Sequence, residues 1–233
     1  MNYPNKVNLN ELLPDDWIKL IDKEILLETE TALNIEIRKS KDELTLIYPN
    51  KNNLFNIFWK CPLENIRVVI IGQDPYHSNI NQANGMAFSV QNDKEIFPPS
   101  LKNIFKELKN CYPNINRKCG DLEDWVEQGV FLLNTSLSVN KGVPGSHMYI
   151  WEKFTDHIID IIQKRGNVIF CLWGKFAESK IDFIKNHVNI ILKSSHPSPF
   201  SALKSDDPFI GSKMFLKIDD NLKKLGYSKI KWE

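Results

Sequence analysis

The chain has 233 residues, of which 42% are hydrophobic, and its formal net charge is +1 at pH 7. This composition predicts one compact domain over residues 1–233, with two small domains as the alternative, and argues against general disorder, while the near-zero charge gives no global sign of nucleic-acid binding. The longest apolar runs are too short to span a bilayer, and the first ten residues lack an apolar signal core, so neither a membrane protein nor a secreted one is expected.

The first elements are predicted to be helical after an extended start. Residues 1–14 are interpreted as an extended N-terminal lead-in. Apolar residues recur at helical spacing over 15–34, behind two acidic residues suited to a helix N-terminus, so a helix is predicted there. The stretch 47–58 predicts a turn followed by a short helix.

Four apolar runs predict buried strands, because each run is nearly continuous rather than alternating, as in strands covered on both faces. They cover residues 67–71, 130–133, 167–172 and 188–192. Helical patterns separate or follow most of them, at 101–108, 151–163, 175–185 and 213–225. Strands that alternate with helices predict an α/β fold, namely a three-layer α/β/α arrangement with a central four-stranded parallel sheet.

Each predicted strand runs into a short polar or glycine-containing segment. In chain order these segments read GQDPYH, NTS, WGK and SSHPSPF, and they begin at Gly72, Asn134, Trp173 and Ser194. The carboxyl ends of parallel strands meet at one edge of a sheet, where ligands bind. The four segments together therefore predict a functional site at that edge.

Asp74 and His196 are the candidate catalytic residues. Pro75 stiffens the turn that carries Asp74, although an ordinary Asx turn is the alternative interpretation. His196 precedes a proline, where a histidine can also simply satisfy a loop carbonyl. A carboxylate and an imidazole in one pocket suit hydrolysis, in which one group organises water and the other stabilises a leaving anion.

Four further residues are candidates for binding, each with an ordinary alternative. Phe88 can be a binding residue or part of the core. Asn134 directly follows a strand, where its amide can read a donor–acceptor edge or cap the next helix. Ser100 is predicted as the N-cap of the following helix, whose N-terminus also attracts phosphate. Phe200 lies on a polar loop, as do the apolar wedges that DNA-kinking proteins insert between base steps.

Other chemistries have little support in the sequence. The histidines and the four scattered cysteines form no paired ligand spacing, so no metal site is predicted and the thiols are expected to be reduced, as in a cytoplasmic protein. The GxSxG nucleophile motif and the phosphate-binding motifs GxxxxGK[ST] and GxGxxG do not occur in the chain.

Seven motifs, in order along the chain, resemble those of family 1 uracil-DNA glycosylase: GQDPYH, GMAFSV, PPSLKNIFKEL, LLNTSLSV, WEKFTD, LWG and HPSPFSA. The likeness runs from about residue 44 to the C-terminal helix. It implies a DNA repair enzyme that flips uracil out of DNA and hydrolyses its N-glycosidic bond, which leaves an abasic site and starts base-excision repair. It also implies a cytoplasmic monomer without metal or cofactor. The partners implied are uracil-containing single- and double-stranded DNA and protein inhibitors that mimic DNA.

The resemblance also assigns catalytic roles. Asp74 matches the aspartate that orients water and stabilises the cationic sugar, and His196 matches the histidine that hydrogen-bonds the uracil O2. His77 matches a residue near the water.

Uracil binding is assigned in the same way. Gln73 matches a main-chain and water contact, and Tyr76 matches the ring whose bulk excludes the thymine methyl. Phe88 matches the stacking partner of uracil, and Asn134 matches the amide that reads its O4 and N3 edge.

Contacts to the DNA backbone are implied for several loops that compress it, and Phe200 matches the wedge that fills the space left by the flipped nucleotide. The residues that match DNA-contacting positions are Pro98, Pro99, Ser100, Gly174, Lys175, Ser198 and Phe200.

The chain departs from the family pattern in four places. SNINQA replaces a glycine-rich segment after His77, and Lys175 stands where the family usually has serine. Phe200 replaces the common leucine, and the loop after Ala202 is lengthened and acidic. Two alternatives stay open from the residues alone, a DNA-binding scaffold without catalysis and an α/β enzyme acting on a nucleotide or another phosphorylated metabolite.

Overall fold

The computed structural model describes residues 3–78, 82–91, 97–204 and 206–233. The described residues form six strands: β1 (Ile47–Tyr48), β2 (Val68–Gly72), β3 (Val130–Asn134), β4 (Val139–Asn140), β5 (Ile169–Trp173) and β6 (Ile190–Ser194). They also form nine α-helices: α1 (Leu9–Leu12), α2 (Asp15–Ile18), α3 (Lys23–Asp42), α4 (Asn56–Lys60), α5 (Pro99–Cys111), α6 (Glu123–Val126), α7 (Met148–Arg165), α8 (Lys175–Glu178) and α9 (Met214–Lys224). Short 3₁₀ helices lie at Lys51–Asn53, Leu63–Asn65 and Ile181–Phe183.

The core of the fold is a four-stranded parallel sheet in the spatial order β3-β2-β5-β6, flanked by helices. The predicted three-layer α/β/α fold and its four strands are confirmed, with strand bounds shifted by one or two residues at most ends. Helix α3 packs against α7, and α5 packs against α9, which also contacts β5 and β6. None of the described helices is both long and apolar enough to cross a lipid bilayer.

The prediction that both faces of every strand are covered is wrong for β6. All residues of β2, β3 and β5 are buried, whereas β6 is an edge strand with half-buried Ile190, Ile191 and Leu192 and an exposed Lys193. A charged lysine on an open edge discourages pairing with another chain.

The N-terminal part differs from the prediction in two ways. The lead-in is not fully extended, because it contains the single turn α1, in which the Asn8 side chain accepts a hydrogen bond from the N–H of Asn10. The predicted helix over 15–34 is two helices, α2 and α3. The break lies at Asp22, whose carboxylate accepts hydrogen bonds from the N–H groups of Glu24 and Ile25 and so starts a new helix.

The C-terminal helices also differ in length. The pattern over 175–185 forms only the short helix α8 and a 3₁₀ turn.

The pattern over 47–58 forms β1, a 3₁₀ turn and most of α4, and β1 pairs antiparallel with β4. That pairing ties the chain before the sheet to the segment that follows β3.

Aromatic packing holds the outer helices on the sheet. Trp17 of α2 lies 5.1 Å from Phe58 of α4 and 5.6 Å from Phe131 of β3, measured between ring centroids. All three side chains are buried. Burial of each such side chain stabilises the folded state by roughly 1.5–3 kcal/mol.

The order of the strands determines where a ligand can bind. The chain leaves β2 for β3 on one side and later returns to β5 on the other side, so the winding direction reverses at β2. In open α/β sheets the crevice at such a point, beyond the carboxyl ends of the strands, takes the ligand. Gly72 pairs in register with Asn134, and Trp173 pairs with Ser194, so the four polar segments meet at this edge.

Candidate active site

A cavity of about 230 Å³ opens at the carboxyl ends of the strands. The residues that line it are Gly72, Gln73, Asp74, Pro75, Tyr76, His77, Ser78, Phe88, Ser100, Asn134, Pro144 and His196. The structure thus brings together every residue predicted to be catalytic or to bind the base, along with Ser100. A larger cavity of about 450 Å³ lies beside Lys6 and Leu27, and its described lining includes neither a histidine nor an aspartate.

Asp74 is held by one of its two carboxylate oxygens. Its Oδ2 accepts hydrogen bonds from the backbone N–H of Gly145 at 3.1 Å and from Nε2 of Gln73 at 3.0 Å. Its Oδ1 is buried and has no hydrogen-bond partner among the described residues. Burial raises the pKa of the Asp74 carboxyl, although the N–H of Gly145 and the nearby His77 act to lower it. The carboxylate is therefore held in place through Oδ2, and Oδ1 can accept a hydrogen bond from a ligand or a water molecule.

The turn around Asp74 is itself tied to the segment that follows β3. The carbonyl of Gln73 accepts a hydrogen bond of 2.9 Å from the N–H of Ser136. The carbonyl of His77 accepts one of 3.3 Å from the N–H of Gly142, and Nδ1 of the His77 ring is buried without a partner among the residues described. The predicted residues Gln73 and His77 thus flank Asp74 in a fixed backbone.

His196 is in a defined protonation state. The backbone N–H of Ser198 donates a hydrogen bond of 3.0 Å to Nδ1, so Nδ1 carries no proton and the proton of the neutral ring lies on Nε2. Burial lowers the pKa of His196, which also favours the neutral form. The ring can therefore act as a neutral hydrogen-bond donor.

Gly174 makes room for His196. Its φ is +91°, and a Cβ at this position would lie 2.7 Å from the Cβ of His196. Only glycine allows this conformation and this contact without strain. The contact of Gly174 with DNA stays a prediction, but the geometry of the site leaves no room for a side chain at this position.

Asn134 ends β3 beside Gly72. Its side chain lines the cavity, with only 5% of the residue exposed. A Cβ at Gly72 would lie 2.4 Å from Oδ1 of Asn134, so the glycine provides the space that the amide occupies. The alternative that Asn134 caps the next helix is wrong, because α7 begins only after His147.

Phe88 has a conformation that few residues of its kind adopt. Its φ is +63°, in the left-handed region, and a non-glycine residue held there often marks a functional site. Its ring centroid lies 5.5 Å from that of Trp173 and 6.0 Å from that of His196. The hydroxyl of Tyr76 donates a hydrogen bond of 3.4 Å to the Phe88 carbonyl, and burial raises the pKa of that phenol. Phe88 is half-buried and faces the cavity, so it is not a simple core residue.

Ser100 is not the N-cap that its sequence context predicts. Pro98 occupies the N-cap position, Pro99 begins α5, and Ser100 lies in the first turn. Proline is favoured at the first helical position because it has no N–H to leave unsatisfied there. Ser100 nevertheless lines the cavity at a helix N-terminus.

The remaining predicted DNA contacts lie outside the cavity wall. Lys175 is exposed at the start of α8, and the hydroxyl of Ser198 donates to that of Ser201 at 3.4 Å. Phe200 is 83% exposed, which is unusual for a phenylalanine. Asp206 and Asp207 are exposed, whereas residues 79–81 of SNINQA and residue 205 lie outside the described residues.

Two contributors to the site are missing from the predictions. Gly145 contributes only a backbone N–H, which no residue type in the sequence reveals. Asn103 joins α5 to the loop of His196 through Pro197, a partner 94 residues away. In the described part of the chain, no group of three or more metal-ligating side chains comes together.

The comparisons with known proteins agree on one family. A family model described as the Uracil DNA glycosylase superfamily matches residues 58–223. The chain is 48% identical over 200 residues to a uracil-DNA glycosylase of Azobacteroides pseudotrichonymphae, covering 85% of this chain and 89% of that protein. It is 50% identical over 189 residues to a uracil-DNA glycosylase of Mycoplasmopsis pulmonis, covering 80% and 83% of the two chains.

A solved structure shows the same fold. The crystal structure of a mimivirus UNG variant in complex with UGI superposes with a TM-score of 0.88 at 28% sequence identity. The superposition covers 98% of this chain and 92% of that one.

Proposed function

The chain belongs to the uracil-DNA glycosylase superfamily and is an enzyme of DNA repair that removes uracil from DNA; we propose that it does so as a family 1 enzyme, with Asp74 and His196 as its catalytic residues. The observation that carries the assignment of residues is the meeting of a fixed carboxylate, a neutral imidazole and a strand-end amide in one cavity. Free uracil and an abasic site are the products.

Asp74 acts on the sugar. As the N-glycosidic bond breaks, positive charge develops on the deoxyribose, and a preorganised carboxylate lowers the energy of that charge. Oδ2 is held by Gly145 and Gln73, so Oδ1 is the oxygen that accepts a proton from the attacking water. The water supplies the hydroxyl at C1′ of the sugar, and the electrons of the broken bond leave with the base as the uracil anion. The anion then takes a proton from solvent to give free uracil, and Asp74 returns its proton to solvent.

His196 acts on the base. Negative charge develops on the departing uracil, and a hydrogen bond from Nε2 to its O2 stabilises that anion. The bond from Ser198 to Nδ1 orients the ring for this task and keeps the donor proton on Nε2. A hydrogen bond of this kind is strongest where water is excluded, as in a partly buried cavity.

Selectivity for uracil comes from two contacts. The amide of Asn134 pairs with O4 and N3 of uracil, whereas cytosine offers the opposite donor–acceptor edge and would leave buried groups unpaired. The ring of Tyr76 occupies the space that the thymine methyl needs. Phe88 stacks on the flat face of the base.

Access to the base requires the nucleotide to leave the helix, which costs a few kcal/mol in unpairing and unstacking. Three loops contact the phosphates on either side of the flipped nucleotide and compress the DNA backbone. Their contact residues are Pro98, Pro99 and Ser100, then Gly174 and Lys175, and then Ser198. Phe200 fills the gap in the base stack. The lysine at position 175 adds a charged phosphate contact where a hydroxyl is usual, and such contacts weaken as salt rises.

Partners other than DNA are part of the proposal. The similar mimivirus UNG is seen in complex with UGI, which supports the expectation that proteins mimicking DNA bind this chain as inhibitors. A monomeric state and a cytoplasmic location remain predictions, and light scattering of the purified protein and cell fractionation test them.

The direct test of this function is the release of uracil from a duplex oligonucleotide with a single U, measured with a chelator present. We expect release from the wild-type chain and almost none from Asp74→Asn. Equal release by both proteins would contradict the role of Asp74. Two competitors, free nucleotide and uracil-free DNA, are then added separately. Inhibition of uracil release by free nucleotide but not by the DNA would favour an enzyme that acts on nucleotides.

A further inference from the structure

One face of α5 contacts both ends of the loop between β6 and α9. This loop, described over 195–204 and 206–213, is called the wedge loop below because it carries Phe200. Asn103 and Glu107 lie four residues apart on α5, so their side chains project from the same face of the helix.

Glu107 holds the far end of the wedge loop. Its side chain is fully buried, and its carboxylate accepts hydrogen bonds from the N–H groups of Gly211 at 2.6 Å and Lys213 at 2.8 Å. Removing this carboxylate would take away the partner of both backbone donors, each of which now makes a charge-assisted hydrogen bond. Glu107 is therefore a structural anchor of the loop.

Asn103 holds the near end, next to the catalytic histidine. Its Nδ2 donates a hydrogen bond of 2.8 Å to the carbonyl of Pro197. Pro197 lies between His196, whose ring lines the cavity, and Ser198, whose N–H orients that ring. A single amide thus joins α5 to the segment that positions the imidazole.

The same helix carries Ser100 three residues before Asn103. Ser100 lines the cavity from the first turn of α5. The Asn103 bond therefore sets the spacing between two proposed phosphate contacts, Ser100 on the helix and Ser198 on the wedge loop.

The interior of the wedge loop is braced by Ser195, so a displacement at its near end reaches Phe200. The hydroxyl of Ser195 donates to the carbonyl of Ser201 at 2.9 Å and accepts from the N–H of Phe209 at 2.9 Å. The N–H of Ser195 also donates to the carbonyl of Asp207 at 2.8 Å. The turn that presents Phe200 is tied to both flanks of the loop.

We propose that Asn103 is a positioning residue that locks the wedge loop to α5, so that His196, Ser198 and Phe200 are held at a fixed spacing from Ser100. The inference rests on the proposed roles of His196 and Phe200 in uracil removal. Asn103 itself acts through the Pro197 carbonyl. Losing its hydrogen bond lets the loop move and weakens the compression and wedging that open a duplex.

The predicted signature is a loss that depends on the substrate. On duplex DNA the wedge loop must help to extrude the base, so Asn103→Ala lowers kcat/KM about tenfold, the size expected for one lost hydrogen bond. On single-stranded DNA extrusion is cheap, and the loss is only about two- to threefold. A merely structural role would lower kcat/KM on both substrates equally.

Two companion variants separate the hydrogen bond from side-chain volume and from stability. Asn103→Asp has nearly the same shape but no N–H donor at neutral pH, and it places a carboxylate oxygen against the Pro197 carbonyl, so it should lose at least as much duplex activity as Asn103→Ala. Asn221→Ala is the matched control, since Nδ2 of Asn221 also donates to a backbone carbonyl, that of Lys217 within α9, at 2.7 Å. It should leave kcat/KM unchanged on both substrates.

Coupling to the wedge provides a further readout. The losses are compared as activation free energies calculated from kcat/KM on duplex DNA. If Asn103 acts through the wedge loop, the loss in the double variant Asn103→Ala with Phe200→Ala is clearly smaller than the sum of the losses in the two single variants. The thermal unfolding of each variant is also measured, because each variant must be folded at the temperature of the assay.

Several results would overturn the inference. They are wild-type duplex activity in Asn103→Ala or Asn103→Asp, equal losses on duplex and single strands, or full additivity with Phe200→Ala. Failure of the proposed function has a different sign, because the wild-type chain itself would then release no uracil. In that case the inference about Asn103 would also be wrong.

Discussion

The backbone N–H of Gly145 donates a hydrogen bond of 3.1 Å to Oδ2 of Asp74, across 71 residues of sequence. The bond fixes the carboxylate by one oxygen and leaves Oδ1 buried and without a partner in the part of the chain that the structure describes. A carboxylate fixed before the reaction begins need not reorganise as charge develops, which is the main electrostatic advantage of an enzyme site.

Asp74→Asn should keep uracil-DNA binding while lowering the single-turnover rate of uracil release by roughly 10²–10³-fold. The amide keeps an oxygen for the Gly145 bond, so the local structure is retained, but its charge is lost. Asp220→Asn, at an exposed position on α9, is the control and should be fully active. Undiminished release by Asp74→Asn would remove the proposed role of the carboxylate.

Tyr76→Ala should allow thymine to be released from ordinary DNA, because the ring that blocks the 5-methyl group is gone. Tyr76→Phe keeps the ring and loses only the hydroxyl that donates to the Phe88 carbonyl, so it should still exclude thymine. The measurement is free thymine from a thymine-containing oligonucleotide. A Tyr76→Ala protein that removes uracil yet ignores thymine would show that the ring is not the gate.

Phe200→Ala should reduce activity on duplex substrates more than on single strands, because only the duplex needs its stack opened and refilled. Phe200→Leu keeps an apolar wedge and should retain most of the duplex activity. The comparison is of kcat/KM on the two substrates at the same salt concentration, because DNA affinity depends on salt. Equal losses on both substrates would count against a wedge.

Gly72→Ala should impair uracil recognition without unfolding the protein. The added Cβ would lie 2.4 Å from Oδ1 of Asn134 and 2.9 Å from Cβ of Ala87. The Asn134 amide should turn away and KM for uracil-DNA should rise about tenfold or more, while the contact with Ala87, which has no flexible end, should also lower the thermal stability. A variant with wild-type KM and wild-type thermal stability would show that the position of the amide is not critical.

The pH profile of kcat/KM should have an acid limb that lies above pH 3.8. Burial raises the pKa of Asp74 above 3.8, and burial lowers the pKa of His196 below 6.5. As the pH falls, protonation removes the carboxylate charge and also the Nδ1 acceptor that orients the imidazole, so both changes lower activity. Full activity down to pH 3.8 would disagree with the raised pKa of Asp74.

The sheet was predictable because its strands are buried. A strand covered on both faces is a nearly continuous apolar run, and such runs identify β2, β3 and β5 directly. The N-terminal helices were less predictable, because the break at Asp22 comes from a side-chain cap inside a continuous apolar pattern. The length of α8 was overestimated because apolar spacing continues through the 3₁₀ turn after it.

The candidate site was predictable only where side chains carry the chemistry. Asn134 is the last residue of β3, and Asp74 and His196 each lie two residues after a strand, so parallel topology brings the three together. The left-handed φ of Phe88 and the backbone donor of Gly145 depend on tertiary context and have no signature in residue type.

The most direct test of the residue assignment is a crystal structure of the protein soaked with uracil. We expect the base in the cavity at the strand ends, stacked on the Phe88 ring, with Asn134 at its O4 and N3 edge and Nε2 of His196 within hydrogen-bond distance of O2. Uracil bound at another cavity, or bound here without contact to Asn134 and His196, would contradict the proposed site.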